Sequence, residues 1–592
     1  MASILPNGKT QFIDQNGKPL AYGTVTFYAP GTTTKKDTWQ DSAMTQPNTN
    51  PVVLDSRGQA TIWGSGAYRQ IVADKFGVVV WDQVVTDLSG QLSGSDGSSI
   101  VGFLQAGTAA VSRTAQDKMR DVVSAKDFGA KGDGITDDTV AIQAAIDWID
   151  SIGGGCVKLP RGTYLVSASR SAETFSNFGV SVAANTGAIL LRNSVSLEGD
   201  GRDNTTVKCN DPSVTLIYQI TPMKARVTGM TLQGAWSPSN PNAGTGSGIF
   251  TLASNGGALY RTTYCTWRDL IISGVGSYGI GLQNGYPMGC RIEDIVIDTI
   301  GADGLDLKAR DPNNPNNVPW GNSTNNIFVT NHGGRVTGSC GIDTRGIWNH
   351  KNVQVVNFGA GNPTFTYVGV RFRTKDTAAS GYVGIANYST LDGFLIWAAA
   401  GAGANAQGVV SGSDACRVSN GTVINCQYGV QLTGNTVGNA TKTTVVGVTS
   451  LGALAYGFFV GPNCVDSIFM GCNSSGSVTA GYRDVGTYSK FVSCGADEAT
   501  AISTSAGSVS SQMIDNCTFG TDWGVSISSP TAGRVDVVPR GTSSLLNLNL
   551  SPVGGGFVRF NAAFNSTGDV PCIGNMVFMD TTGTQRKFMV CA

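Results

Sequence analysis

Hydrophobic and polar positions in the middle of the chain alternate in short runs, and the runs recur. CTWRDLIISGVGSYGIGL (265–282) and CRIEDIVIDTIGADGLDL (290–307) superimpose at a shift of 25 residues, placing Cys265 on Cys290, Asp269 on Asp294 and Gly279 on Gly304. A period of that size marks a solenoid in which each repeat is one coil. The end of each copy reads glycine, apolar, any residue, apolar: GIGL (279–282), GLDL (304–307), GVRF (369–372), GFLI (393–396), GVQL (429–432), GFFV (457–460) and GVSI (524–527), with shorter versions at 341–343 and 481–483. Strand side chains alternate with period two, so the apolar pair points to a core and the third residue points to solvent. Stacked in register, the third positions form a column of Gly281, Asp306, Asp343, Arg371, Leu395, Gln431, Phe459 and Arg483, with rungs ~4.8 Å apart. DPNNPNNVPWGNST (311–324) and AAAGAGANAQGVVSGSDA (398–415) fill two larger gaps and read as insertions.

Other patterns bound this body. In residues 1–90, Asn16-Gly17 sits between alternating segments as a hairpin signal, and three further strand runs follow over 50–85. A small all-β module is expected, closed by the Gly/Ser-rich stretch LSGQLSGSDGSS (88–99), which reads as a linker. One helix is expected after Thr136, Asp137 and Asp138, with Val140, Ile142, Ala145, Ile146 and Ile149 at helical spacing and Gly153–Gly155 ending it. Asp133, Asp137 and Asp138 could bind Ca²⁺, but turn and cap roles suit them better. At the far end, NMVFMD and QRKFMV around TTGT read as a hairpin, a coil cap or trimer clasp. The expected division is a β module over 1–90, a neck over 91–122, one β-helix over 123–535, and a C-terminal β element over 536–592.

Composition narrows the function classes. Gly supplies 79 of 592 residues and charged residues only 14%, which disfavours long amphipathic helices. Of 41 acids four are Glu, leaving 41 − 4 = 37 Asp, the acid of turns and caps. With 40 basic residues against those 41 acids there is no electrostatic footprint for nucleic acid or an anionic membrane. No apolar run approaches the ~20 residues a bilayer span needs, and MASILPNGKTQFID carries no signal-peptide pattern. Thirteen scattered Cys show no C-x-x-C and no Cys/His cluster. They read as buried reduced thiols made in a reducing compartment, and neither a metal nor a cofactor is expected. Nucleophile-elbow, phosphate-loop and HExxH motifs are absent, which removes serine hydrolases, kinases and zinc peptidases.

Two stretches carry resemblances. KDFGAKGDGITDDTVAIQAAID (126–147) with GGGCVKLPRGTYLVS (153–167) resembles the opening of the pectate-lyase-type single-stranded right-handed β-helix family, which includes phage tailspikes. That implies an all-β, right-handed parallel β-helix and says nothing of chemistry. FIDQNG (12–17), GTVTFY (23–28) with PGT (30–32), and NPVVLD (50–55) with GQA (58–60) resemble the N-terminal virion-attachment module of podovirus-type tailspikes and tail fibres. Together they imply a homotrimeric phage tailspike in the virion tail, synthesised in the host cytoplasm. Residues 1–90 would join tail or portal-side adaptor proteins, and the β-helix would bind bacterial surface polysaccharide. NHGGR (331–335), GVRFRTK (369–375) and DGLDL (303–307) distantly resemble elements of the polygalacturonase family, whose adjacent Asp-Asp pair is missing here.

The column supplies the candidate chemistry. Asp306 and Asp343 become neighbours in space, and like charges at that distance split into an acid and a base, as glycoside cleavage requires. Asp303, in the preceding turn, and Glu293 are further candidate acids. Arg371, Arg373, Arg345 and Lys375 could bind substrate anions, Trp320 and Trp348 could stack on sugar rings, and His332 belongs to the NHGGR element. The leading expectation is a tailspike that depolymerises O-antigen or capsule by endo-acting glycosidic hydrolysis. Cleavage by β-elimination, a non-catalytic glycan-binding fibre and, less favoured by the N-terminus, a secreted pectin enzyme are the alternatives.

Overall fold

The computed structural model describes residues 11–86, 92–168 and most of 186–498, with gaps that include 253–261, 310–319, 374–385 and 434–439, and some short strands outside those ranges. The body is a right-handed parallel β-helix. Among the described residues it has one sheet of 20 strands and a second of 13, parallel from rung to rung. The shift of 25 holds in space: Thr266 pairs with Arg291, and Ile280 with Leu305.

Strands of the larger sheet are long because each turns a corner without leaving the ladder. Thr266–Val275, Arg291–Ile300, Asn322–Thr330, Trp348–Phe358, Thr390–Ala398 and Arg417–Ile424 stack in order. Near the middle of each, one residue is left-handed: Asp269, Asp294, Asn326, Asn352, Gly393 and Asn420, with φ from +51° to +70°. Gly, Asn and Asp tolerate that conformation best, which explains why Asp269 and Asp294 recur in the sequence repeat.

The smaller sheet is built from straight strands: β1 (Ile280–Gly285), β2 (Leu305–Ala309), β3 (Ser339–Thr344), β4 (Tyr367–Phe372), β5 (Ala406–Ser411), β6 (Tyr428–Leu432), β7 (Tyr456–Val460) and β8 (Ala480–Asp484). Glycine precedes them for a steric reason. A Cβ on Gly304 would sit 2.5 Å from the Gly341 carbonyl oxygen, and one on Gly341 would sit 2.7 Å from that of Gly369. This ladder runs from Gly369 to Gly408, not to Gly393. GFLI therefore belongs to the other sheet, where Gly393 is a corner residue and Leu395 pairs with Gln354. Within 398–415, read from sequence as an insertion, GVVS (408–411) is the strand β5 that fills the rung. Likewise Asn322–Thr330 is a strand although its start lies in the Asn/Pro-rich segment.

At the entrance to the β-helix, helix α1 (Thr139–Ser151) buries Ile142, Ala145, Ile146 and Ile149. Val140 points the other way and is exposed, since it lies two residues from Ile142 on a helix. The acids before α1 bond the local chain. Asp138 accepts from the Lys131 and Gly132 amides (2.6 and 3.0 Å), Asp133 from those of Ile135 and Thr136, and Asp137 from that of Thr139. Ten described cysteines are unpaired, and all but Cys156 are buried.

Residues 11–86 have their own core of Phe12, Leu20, Val25, Phe27, Leu54, Tyr68 and Val72. Their main sheet is antiparallel, in the order Val52–Val53, Thr24–Tyr28, Ala67–Ala73, Val79–Thr86. Asn16-Gly17 does form a turn, in which the Gly17 amide donates to the Asp14 carbonyl (3.1 Å). It joins a single bridge between Ile13 and Pro19 rather than two strands. At the C-terminus, Cys572–Met579 pairs antiparallel with Gln585–Cys591. No described helix is long and apolar enough to cross a membrane.

Candidate active site on the straight-strand sheet

Parallel pairing aligns Gly281 with Asp306, Asp306 with Asp343, Asp343 with Arg371, Arg371 with Val410, Val410 with Gln431, Gln431 with Phe459 and Phe459 with Arg483. Val410 replaces Leu395, and the column otherwise follows the alternation. It departs from expectation in exposure. Asp306 and Asp343 point away from the β-helix core yet are each 1% exposed, while Asp303 keeps 8%.

Single carboxylate oxygens of Asp303, Asp306 and Asp343 lie within 4.8 Å of one another. Each acid is held differently. Asp306 Oδ2 accepts from Lys308 Nζ and Gln283 Nε2, both at 2.7 Å, and Lys308 also donates to Gln283 Oε1 at 2.9 Å. Its Oδ1 has no partner among the described residues. Both oxygens of Asp343 accept from Arg373 Nε, at 2.8 and 2.9 Å. Asp303 Oδ1 accepts the Cys340 amide at 2.6 Å.

These surroundings drive the protons apart. Burial, then the charges of Asp306 and Asp343, push the Asp303 carboxyl well above the usual carboxylate range. Burial also raises Asp306, with Lys308 opposing it. Burial alone would raise Asp343, but the guanidiniums of Arg373, Arg345 and Arg371 outweigh it and hold that group below its ordinary value. Asp303 thus holds its proton more tightly than its neighbour Asp343, a difference of the kind acid–base chemistry uses.

Of the other residues singled out from sequence, Arg345, Arg371 and Arg373 join this cluster. Arg345 is buried just beyond β3, its amide donating to the Leu307 carbonyl at 3.0 Å. Glu293 lies on the long-strand sheet, paired with Arg268 and Asn325. Trp320 is exposed. Trp348 is completely buried and stacks on His350 with ring centroids 6.3 Å apart, so it offers no face to a sugar. His332 is buried against Phe358 (5.0 Å) and burial lowers its pKa to about 3, so it is a neutral interior ring and no surface ligand. Lys375 lies outside the described residues.

Sequence reasoning missed Lys308 and Gln283. The signal was present: outward positions recur two residues on, and Gln283, Lys308, Arg345 and Arg373 all follow a third position of the column by two. By geometry the three acids could ligate a small divalent cation. Lys308 and Arg373 already occupy lone pairs such an ion would use, so side chains supply the neutralising charge.

Comparisons with known proteins give partial matches. Residues 122–375, short of half the chain, match the sequence model of the family described as "Rhamnogalacturonase A/epimerase, pectate lyase-like". Alginate lyase 7 of Azotobacter vinelandii is 45% identical over 86 residues, 14% of this chain and 9% of that protein. The tail spike protein of an Escherichia phage is 43% identical over 81 residues, again 14% of this chain and 9% of that one. The chain thus spans only a small part of the curated relatives it matches. Among solved structures, the tailspike of E. coli bacteriophage HK620 in complex with pentasaccharide aligns over 73% of this chain and 72% of its own, at 14% identity and a TM-score of 0.44.

Proposed function

We propose that the protein is a phage tailspike that binds and depolymerises a bacterial surface polysaccharide by glycosidic cleavage. It would act as a homotrimer attached through residues 1–90 to the virion tail. The observation that carries the enzymatic part is the buried trio Asp303, Asp306 and Asp343, with carboxyl groups shifted in opposite directions amid Lys308, Arg345, Arg371 and Arg373. A purely structural ladder has no use for like charges directly opposite each other, which are destabilising across a strand pair. The partial matches to a tail spike and to an alginate lyase support a polysaccharide as the substrate class.

In this reading Asp303 donates its proton to the departing glycosidic oxygen as the anomeric C–O bond breaks, and ionised Asp343 forms the glycosyl ester. Water then hydrolyses that ester, its hydroxyl ending on the anomeric carbon and its proton returning to Asp303. Single oxygens of the three acids approach within 4.8 Å of one another, close enough for an acid and a nucleophile to act on one glycosidic bond. Lys308 and Arg373, with side chains 18% and 30% exposed, cover the trio. A substrate group that draws them outward uncovers the carboxylates.

β-Elimination is the second reading, favoured by the cations gathered around the acids, since they can neutralise a uronate whose C5 proton a base removes. Incubation with host polysaccharide separates the readings. Hydrolysis releases reducing ends without new ultraviolet absorbance, elimination produces the absorbance of an unsaturated uronate, and unchanged polymer length with saturable binding means a non-catalytic fibre.

A further inference from the structure

Three rungs beyond Asp343 the column changes character. Gln431 on β6, Phe459 on β7 and Arg483 on β8 follow one another outward, and Tyr428 and Tyr456, paired across the same strands, flank them. All five side chains are half-buried. The three rings are nearly parallel: Tyr428 and Phe459 lie 5.4 Å apart at 26°, Tyr456 and Phe459 5.8 Å at 16°, and Tyr428 and Tyr456 6.0 Å at 13°. The Arg483 guanidinium lies 5.4 Å from the Tyr456 ring centre. Gln431 Oε1 has no hydrogen-bond partner among the described residues, which is costly for an acceptor out of contact with water.

We propose that Tyr428, Gln431, Tyr456, Phe459 and Arg483 form a second glycan-binding subsite, apart from the carboxylates. The inference rests on the polysaccharide-binding reading above and locates binding where no acid of the trio lies. Its chemistry is that of sugar recognition: aromatic surface for the apolar face of a pyranose, with phenol, guanidinium and side-chain amide groups at the edge for its hydroxyls. Its placement is that of a linear polymer. At ~4.8 Å per rung, Gln431 lies ~14 Å and Phe459 ~19 Å along the column from Asp343. A saccharide chain running parallel to the β-helix axis therefore meets both sites. The phenol, amide and guanidinium groups beside the rings suit a hydroxyl-rich glycan; a second copy of this chain, whose interface would also be enriched in Tyr, Phe and Arg, is the rival that the oligomer measurement below separates.

The test uses the full-length protein and an array of purified bacterial capsular and O-antigen polysaccharides, followed by titration of an oligosaccharide from the glycan that binds. Tyr456→Ala and Arg483→Ala should each weaken binding about tenfold, the order expected for losing one aromatic or cation–π contact. They should raise KM while leaving kcat at saturation nearly unchanged, and Tyr456→Phe should retain most of the affinity. If Tyr456→Ala fails to fold, Arg483→Ala carries the test by itself. Parental affinity in folded variants overturns the subsite while leaving the polysaccharide reading intact. Loss of the oligomer by light scattering overturns it in favour of an interface between copies. Absence of binding to every glycan by the parent protein overturns both.

Discussion

The two sheets of the β-helix follow one stacking rule and put it to different use. On the long-strand sheet the corner position passes from Asp269 and Asp294 to Asn326 and Asn352, and where the amides begin the side chains bond one another up the stack: Asn326 Nδ2 donates to Asp294 Oδ1 at 2.9 Å, and Asn352 Nδ2 to Asn326 Oδ1 at 3.2 Å. On the straight-strand sheet Asp306 stacks on Asp343, and neither can donate while ionised. Cations from the neighbouring outward position must be brought in, Lys308 to one and Arg373 to the other. An amide ladder explains itself as structure, whereas a buried ladder of acids works against stability and points to chemistry.

The two sheets should differ most in function at Asp303. Asp303→Asn should cost ~10²–10⁴ in turnover, the usual loss for a general acid, while leaving glycan binding in place. In the parent, activity should decline with rising pH as the Asp303 proton, held above the ordinary carboxylate range, is lost, and decline in acid only below that range, where Asp343 protonates. Full turnover in the Asn variant would remove Asp303 from the chemistry.

Asp343→Asn sharpens the contrast through stability. Because Asp343 is buried and paired, its loss leaves Arg373 without its counter-charge, and chemical denaturation should show a decrease of about 3 kcal/mol, at the low end for buried pairs because Arg373 is partly exposed. The sign follows from the depressed pKa: this contribution is present above the unfolded value and fades as pH falls through the folded one. A change within ±0.5 kcal/mol, typical of surface sites, would mean the pair is solvated after all.

On the corner ladder, Asn352→Val should lower stability by about 1–2 kcal/mol, the left-handed penalty of a branched residue, with turnover unaltered. Asn352→Gly should be tolerated within about 1 kcal/mol. Reduced turnover in a folded Asn352→Val protein would show that the ladders are coupled. The smallest effect is expected from removing residues 1–90, whose core is separate from that of the β-helix. The remainder should keep its melting temperature and glycan activity, and failure to fold would place the boundary elsewhere.

How much of the site was legible depended on the range of the rule involved. Period-two alternation is local, so the outward direction of Asp306, Asp343 and Arg371 could be read directly, as could the coil period from Cys265 and Cys290. Which rungs adjoin is not local. GFLI and GVVS both begin with glycine and an apolar residue at the expected spacing, and only the stacking of carbonyls on Gly408 assigns the rung to Val410 instead of Leu395. The burial of Trp348 and His332 was invisible because it is set across rungs, by Phe358 and Tyr367 packed on His332 and by Asn322 and Ser389 beside Trp348.

By itself, then, the sequence determined an all-β solenoid, its coil length, the face on which the charges lie and the absence of long apolar spans, because each follows from a pattern repeated along the chain. Tertiary structure alone decided that the acids are buried, that Arg373 and Lys308 take different members of the trio, and that the Asp303 carboxyl is shifted up while that of Asp343 is shifted down. Those outcomes depend on desolvation and on Coulomb interactions between residues up to 70 positions apart in the chain, Asp303 to Arg373, and both vary with distances that a linear pattern does not contain.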